Sequence, residues 1–283
     1  LKVLVTGAQG MLGRQAVIEY QRRGAEVYGL SRQELDVTNR EQVYRTIKEI
    51  KPEIVVNCAA YTNVDSAEEE KEKSFLINGL GPRYLALACR QFKSTLVHIS
   101  TDYIFSGQAR TPYQVYDNPC PVNTYGASKL FGEAAVREAG GRFFIARTSW
   151  LFGPGGKNFV DTILSLARQK DELMVVNDQQ GSPTYTADLA RALADLAATK
   201  AYGTYHITNT GVTTWYGLAK KVAAAAGLKT AIKPCGTKDF PRPAPRPAFS
   251  AMDPFPLKEV IGYSLPGWED AVERHVKENI QGG

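Results

Sequence analysis

A short apolar strand, Lys2-Val3-Leu4-Val5-Thr6, runs directly into Gly7-Ala8-Gln9-Gly10-Met11-Leu12-Gly13, after which residues 14–23 follow a helical pattern. Strand, glycine turn and helix in that order point to a dinucleotide-binding βαβ unit and leave few other folds open. Gly7 permits the tight turn, Gly10 lets backbone approach a pyrophosphate, and Gly13 lets the helix press on the sheet. The amino end of the helix then favours phosphate charge.

Strands and helices alternate with short connections from there to Trp150. This predicts an α/β fold, a Rossmann-type doubly wound parallel sheet. Strands are expected at 26–30, 54–60, 96–99 and 143–147, with a short third strand at 35–37 beside the adenine. The charge run at 68–73 reads as a solvated helix face. Beyond Trp150 the alternation becomes less regular. Residues 1–150 and 179–208 are expected to form an NAD(P)-binding Rossmann domain, and 151–178 with 209–283 a smaller mixed α/β substrate-binding lobe. Six prolines between Pro241 and Pro256 exclude helix and central strand there. That segment is expected to wrap over a substrate cleft as a loop carrying Arg242 and Arg246.

Composition removes several function classes. The formal charge of +5 is spread along the chain without a basic tract, so nucleic acid is not an expected partner. No apolar run approaches bilayer-spanning length and no leader precedes the first strand, so no membrane partner and a cytoplasmic location are expected. The four cysteines, Cys58, Cys89, Cys120 and Cys235, lack metal-ligand spacing and read as reduced thiols, with Cys58 and Cys89 in the interior. The three histidines, His98, His206 and His275, are scattered and read as structural.

Chemistry gathers at the centre of the chain. The apolar run 96–99 delivers Ser100-Thr101-Asp102 to the carboxyl end of a buried parallel strand, where ligands of open α/β sheets sit. Tyr125 and Lys129 lie one turn apart on a helical pattern and share a face. A cation beside a phenol lowers its pKa, so Lys129 is expected to tune Tyr125 as proton donor to a carbonyl receiving hydride, with Thr101 holding the same oxygen. Just past the second strand stands Ser31-Arg32 where an acidic residue would select NADH. An arginine there suits a 2′-phosphate, so NADPH is the expected cofactor and NADH the alternative.

Taken together, Gly7 to Gly13, Asn57-Cys58-Ala59-Ala60-Tyr61-Thr62 with Val64-Asp65, Ser100-Thr101-Asp102-Tyr103, Tyr125 with Lys129, Arg147-Thr148-Ser149-Trp150, Asn177-Asp178-Gln179 and Arg246-Pro247 resemble the dTDP-4-dehydrorhamnose reductases of the extended short-chain dehydrogenase/reductase superfamily. The resemblance implies reduction of the 4-keto group of a nucleotide sugar, dTDP-4-dehydro-L-rhamnose, for cell-surface polysaccharide. It implies Thr101, Tyr125 and Lys129 as catalytic residues. Cofactor contacts would come from Gly7, Gln9, Gly10, Met11, Ser31, Arg32, Asp36, Val37, Ala59, Ala60 and Thr62, together with Tyr125 and Lys129. Tyr103 and Trp150 would face the sugar, and Asn158, Gln180 and Arg246 would meet the nucleotide diphosphate. Some members dimerise around magnesium held by glutamates; Gln15 stands at one such place, so no metal is expected and assembly is left open, a homodimer being one form.

Alternatives of other kinds share the fold. A 4,6-dehydratase would carry Asp-Glu after the threonine, where this chain has Asp102-Tyr103. A fucose-synthase-type epimerase-reductase would need a cysteine and a histidine beside the hydroxyl. A non-catalytic regulatory subunit like the beta subunit of methionine adenosyltransferase, or another NDP-4-keto-6-deoxysugar reductase, also remains as a reading of these residues.

Overall fold

A computed structural model describes residues 1–281, so Gly282 and Gly283, the end of the expected lobe, lie outside the described residues. Strand β1 (Lys2–Thr6) leads through the glycine turn into α1 (Met11–Arg22), followed by β2 (Glu26–Leu30), α2 (Arg40–Ile50) and β3 (Ile54–Asn57). A short α3 (Lys71–Phe75), a π turn over Leu76–Leu80 and α4 (Gly81–Phe92) lead to β4 (Thr95–Thr101), α5 (Thr124–Ala139) and β5 (Arg142–Thr148). Next come β6 (Leu151–Phe152), α6 (Phe159–Ala167), β7 (Glu172–Val176), β8 (Gln180–Gly181), β9 (Thr184–Tyr185), α7 (Thr186–Ala197) and β10 (Gly203–His206). The chain ends with β11 (Thr213–Thr214), α8 (Trp215–Ala225), β12 (Ala231–Cys235), α9 (Leu257–Ile261) and α10 (Trp268–Gln281).

The main sheet has six strands in the order β10-β5-β4-β3-β1-β2, each pair parallel. Alternate side chains of its strands feed two separate cores, as period-two geometry requires. Val3, Val5, Val56, Ile99 and Phe144 pack with α1 and α7, whereas Leu4, Val55, Leu96 and Ile145 pack with α2 and α4. Both faces are therefore covered, and the strands read as nearly continuous apolar runs. Strand order reverses between β1 and β3, the switch point at which such sheets bind ligands.

Two expected strands differ from the structure. Residues 35–37 form no strand, because their polar groups are taken locally: Leu35 N–H donates to Ser31 O at 2.9 Å, Asp36 N–H to Gln42 Oε1 at 3.1 Å, and Asp36 Oδ1 accepts from Thr38. Leu35 and Val37 still bury their side chains in the core. Strand β3 stops at Asn57 rather than Ala60, since the glycine turn crosses close above Ala59 and leaves no place for a ladder. The run at 68–73 is also not uniformly solvated: Glu68 accepts from the Thr124 N–H and hydroxyl, both at 2.8 Å, and so braces the start of α5.

A second cluster, formed by α6, β7, α8 and α10 with Phe152 and Tyr185, builds the smaller lobe. Leu257 and Leu265, expected within it, join the α1–α7 cluster of the main sheet instead. Cys89 is buried and Cys58 half-buried. Among the described residues no helix is long and apolar enough to cross a membrane.

Candidate active site

The carboxyl ends of β1, β3 and β4 open into a cavity of about 970 Å³. Gly7 takes φ +64°, and a Cβ there would stand 2.8 Å from Ala59 N. A Cβ on Gly13 would stand 2.2 Å from Gly7 O, so turn and helix touch backbone to backbone. At Gly10 a Cβ would meet only Gly7 O, at 3.4 Å, and the turn is open on its cavity side. Gly10 caps α1 with no side chain, and the first turn carries no acidic residue, so its N–H groups are available to an anion. These features fit a dinucleotide pyrophosphate. The Gly7→Ala protein is expected to lose ~1–2 kcal/mol of stability from the left-handed backbone alone. Urea unfolding measures it, and an unchanged midpoint would mean that the turn relaxes freely.

Every residue expected at the cofactor lines this cavity: Gly7, Gln9, Gly10 and Met11 from the turn, Ser31 and Arg32 after β2, Asp36 and Val37, then Ala59, Ala60 and Thr62 after β3. Arg32 is largely exposed and lies 4.0 Å from Asp36. Burial raises the Asp36 carboxyl, but hydrogen bonds from Thr38 outweigh it and hold the group below its usual range.

Thr101 ends β4, where its Oγ1 accepts from Tyr103 N–H at 3.2 Å and caps the turn Asp102–Ile104. Helix α5 begins at Asn123, whose Oδ1 accepts from Gly126 N–H at 2.8 Å. A Cβ on Gly126 would stand 2.1 Å from Tyr103 O, so only glycine lets this first turn come so near the end of β4. Tyr125 and Lys129 thereby share the cavity with Thr101. Burial pushes the Tyr125 phenol up to about 12, with Thr101 lowering it and the Asp102 charge raising it. Lys129 is not among the groups that shift this phenol: its ammonium donates to Ile99 O at 2.5 Å, and burial pulls it down to about 8.

The substrate-side expectations divide. Tyr103 lines the cavity, its ring 5.7 Å from that of Tyr125. Trp150 also lines it, at φ +47°, stacked at 3.5 Å on Trp215 and pressed against Gly181, where a Cβ would meet the indole at 2.5 Å. The other three stand outside the lining. The Asn158 side chain is spent capping α6, accepting from Asp161 N–H at 2.9 Å and donating to Gly153 O at 3.0 Å. Gln180 belongs to β8, and its backbone exchanges bonds with Ala248 and Ser250, each at 2.8 Å. Arg246 grips Asp65 through both oxygens, at 2.5 and 2.9 Å, and holds that carboxyl below its usual range. The proline segment is a loop tied to Asp65, Asn123 and Tyr113, and none of its residues is part of that lining.

Asp102 lines the cavity beside Thr101, and further residues reach it unannounced, among them Trp215, Lys73 and Lys157. Trp215 is held by a bond from its indole N–H to Gln179 at 3.1 Å. Asn78, in the π turn, fixes the Tyr61 backbone from both sides, at 2.8 and 2.9 Å. The interruption of helical spacing at Asn78-Gly79-Leu80-Gly81-Pro82 was the available signal for that turn.

Residues 1–280 match the family model described as the RmlD substrate binding domain. The chain is similar to the dTDP-4-dehydrorhamnose reductase of Burkholderia thailandensis, with 40% identity over 98% of this chain and 99% of that one. It is 41% identical to the spore coat polysaccharide biosynthesis protein SpsK of Bacillus subtilis, covering 98% and 97%. The crystal structure of dTDP-4-dehydrorhamnose reductase from Bacillus anthracis in complex with NADP superposes with a TM-score of 0.95 at 42% identity, covering 98% and 99%.

Proposed function

The chain belongs to the RmlD substrate binding family, and from that premise we propose that it reduces the 4-keto group of dTDP-4-dehydro-L-rhamnose with NADPH, yielding dTDP-L-rhamnose. The observation that carries this reading is that Thr101, Tyr125 and Lys129 share one cavity with the glycine turn. The reduced cofactor supplies hydride to the sugar C4 when bound. Tyr125 donates its proton to the oxygen that becomes the alkoxide. A phenol held up at about 12 keeps that proton throughout the neutral range, which suits the reductive direction. Lys129, tethered by Ile99 O, has N–H groups to spare and places positive charge where the phenolate develops. Tyr103 and the Trp150–Trp215 stack provide aromatic walls for the sugar.

Arg32 would hold the 2′-phosphate. Arg32→Ser is therefore expected to raise KM for NADPH about tenfold or more, the worth of a charge-assisted hydrogen bond, with little change for NADH. Equal effects on both cofactors would remove Arg32 from the choice. Asn158 and Arg246 are engaged elsewhere and Gln180 stands outside the cavity lining, so for the substrate diphosphate we assign Lys157, one of the cations of the cavity wall. We place the reaction in the cytoplasm, where NADPH is renewed, and a homodimer is compatible with it. Mixing the purified protein with NADPH and the dTDP-4-keto sugar tests the reading. Loss of nicotinamide absorbance with formation of the 4-hydroxy sugar is expected, and NADPH binding without turnover would overturn it.

A further inference from the structure

Asp102 is 2% exposed, sits one residue beyond Thr101 in the cavity wall, and has no part in the reduction as described. Its Oδ1 accepts from the Thr101 hydroxyl at 3.0 Å. Its Oδ2 is sealed from water and has no hydrogen-bond partner. The Ser250 hydroxyl stands nearby, 3.5 Å from Gln180 O. A buried carboxylate with one bare oxygen is costly, and a proton on the group removes the charge that makes it so.

The hydroxyl between Asp102 and Tyr125 has one proton to give and two lone pairs. With Asp102 ionised, that proton points at Oδ1, one lone pair takes the Tyr103 N–H, and the other is open to the Tyr125 O–H, which lines the same cavity. A phenol donating to Thr101 is aimed away from substrate. Reversing the chain needs one more proton, and Asp102 is where it can reside.

We propose that Asp102 is a positioning residue that stores a proton: protonated, it donates to Thr101, Thr101 donates to the Tyr125 oxygen, and the Tyr125 O–H is free to face the substrate oxygen. This rests on the reductase reading above. In each turnover the Tyr125 O–H bond breaks and its proton joins the alkoxide formed by hydride addition. The Thr101 proton passes to the Tyr125 oxygen and the Asp102 proton passes to Thr101. Asp102 is left ionised, accepting from Thr101 as in the geometry described, and one proton that enters from the cavity and passes back through the Tyr125 and Thr101 hydroxyls restores it. One hydride and one proton are consumed, which balances a two-electron reduction.

Around Asp102 stand Ser250, Tyr125 from α5, Tyr103 from its own turn, and beyond Tyr103 the Arg246–Asp65 pair, while Lys129 lines the same cavity. Burial pushes Asp102 up to about 7, with Ser250 and Thr101 lowering it, while Tyr125 holds its proton to about 12. Activity requires the protonated form, so kcat falls as pH rises through the Asp102 titration.

The test compares wild type with Asp102→Asn in NADPH oxidation by the dTDP-4-keto sugar, measuring kcat against pH and the solvent deuterium inventory. In wild type a bowed inventory is expected, from several protons in flight, with an alkaline loss of kcat. In Asp102→Asn the inventory should become linear and the alkaline loss should move upward to that of Lys129. The same limb and the same inventory in both proteins would overturn the proposal, whatever the change in kcat. Should the variant not fold, a linear inventory in wild type overturns it alone and a bowed one supports it. Wild type without turnover would instead sink the reductase reading.

Discussion

Replacing Tyr125 by phenylalanine is expected to lower kcat by about 10²- to 10⁴-fold, the usual contribution of a positioned general acid. The ring would be kept and only its hydroxyl lost, so the edge-to-face contact with Tyr103 survives. NADPH binding should therefore stay close to wild type, because the glycine turn, Arg32 and the loop after β3 are untouched. A loss in kcat and in kcat/KM of similar size identifies an interaction made in the transition state. The pH profile adds a second readout. Since burial holds the Tyr125 phenol near 12, titration of that group does not shape the profile around neutrality. Turnover by Tyr125→Phe at the wild-type rate would mean that another group delivers the proton, and Tyr125 would leave the mechanism.

The cofactor half of the site was legible because its chemistry is backbone chemistry. A glycine turn between a strand and a helix has one principal use, and Gly7, Gly10 and Gly13 stand where that use requires them. Tyr125 and Lys129 were legible because helical spacing alone puts them on one face. The substrate side was harder. Asn158, Gln180 and Arg246 carry polar groups that would suit a diphosphate, but the Asn158 side chain caps a helix, the Gln180 backbone continues a ladder outside the cavity lining, and Arg246 pairs with Asp65. Only tertiary contacts choose between those uses. Asp102 was placed beside Thr101 at the end of its strand, but neither its burial nor its bare oxygen leaves a trace in spacing. The missing third strand shows local competition, since Asp36 and Gln42 side chains claim backbone groups that a ladder would need.

Glu133→Ala is expected to cost about 3–5 kcal/mol of stability, the range for breaking a buried ion pair from one side. Glu133 is 0% exposed and Arg147 3%. The carboxylate accepts from Arg147 Nε and Nη2, each at 2.9 Å, from Ser100 Oγ at 2.6 Å and from Arg137 at 2.7 Å. Burial alone would raise this carboxyl, but Arg147 and the other donors outweigh it and hold the group below its usual value. A carboxyl depressed by folding stabilises the native state above its unfolded pKa, and that contribution fades as pH falls through the folded value. The truncation should therefore cost most at neutral pH and progressively less in acid, as urea midpoints across pH would record. The site should suffer as well, because Ser100 precedes Thr101 and Glu133 stands one turn beyond Lys129 on α5. Pairing the change with Arg147→Met separates charge from packing. If the stranded guanidinium causes the loss, the double variant should regain much of it. A double variant as unstable as the sum of the two single changes would show that the pair is not coupled and that Glu133 acts through packing alone.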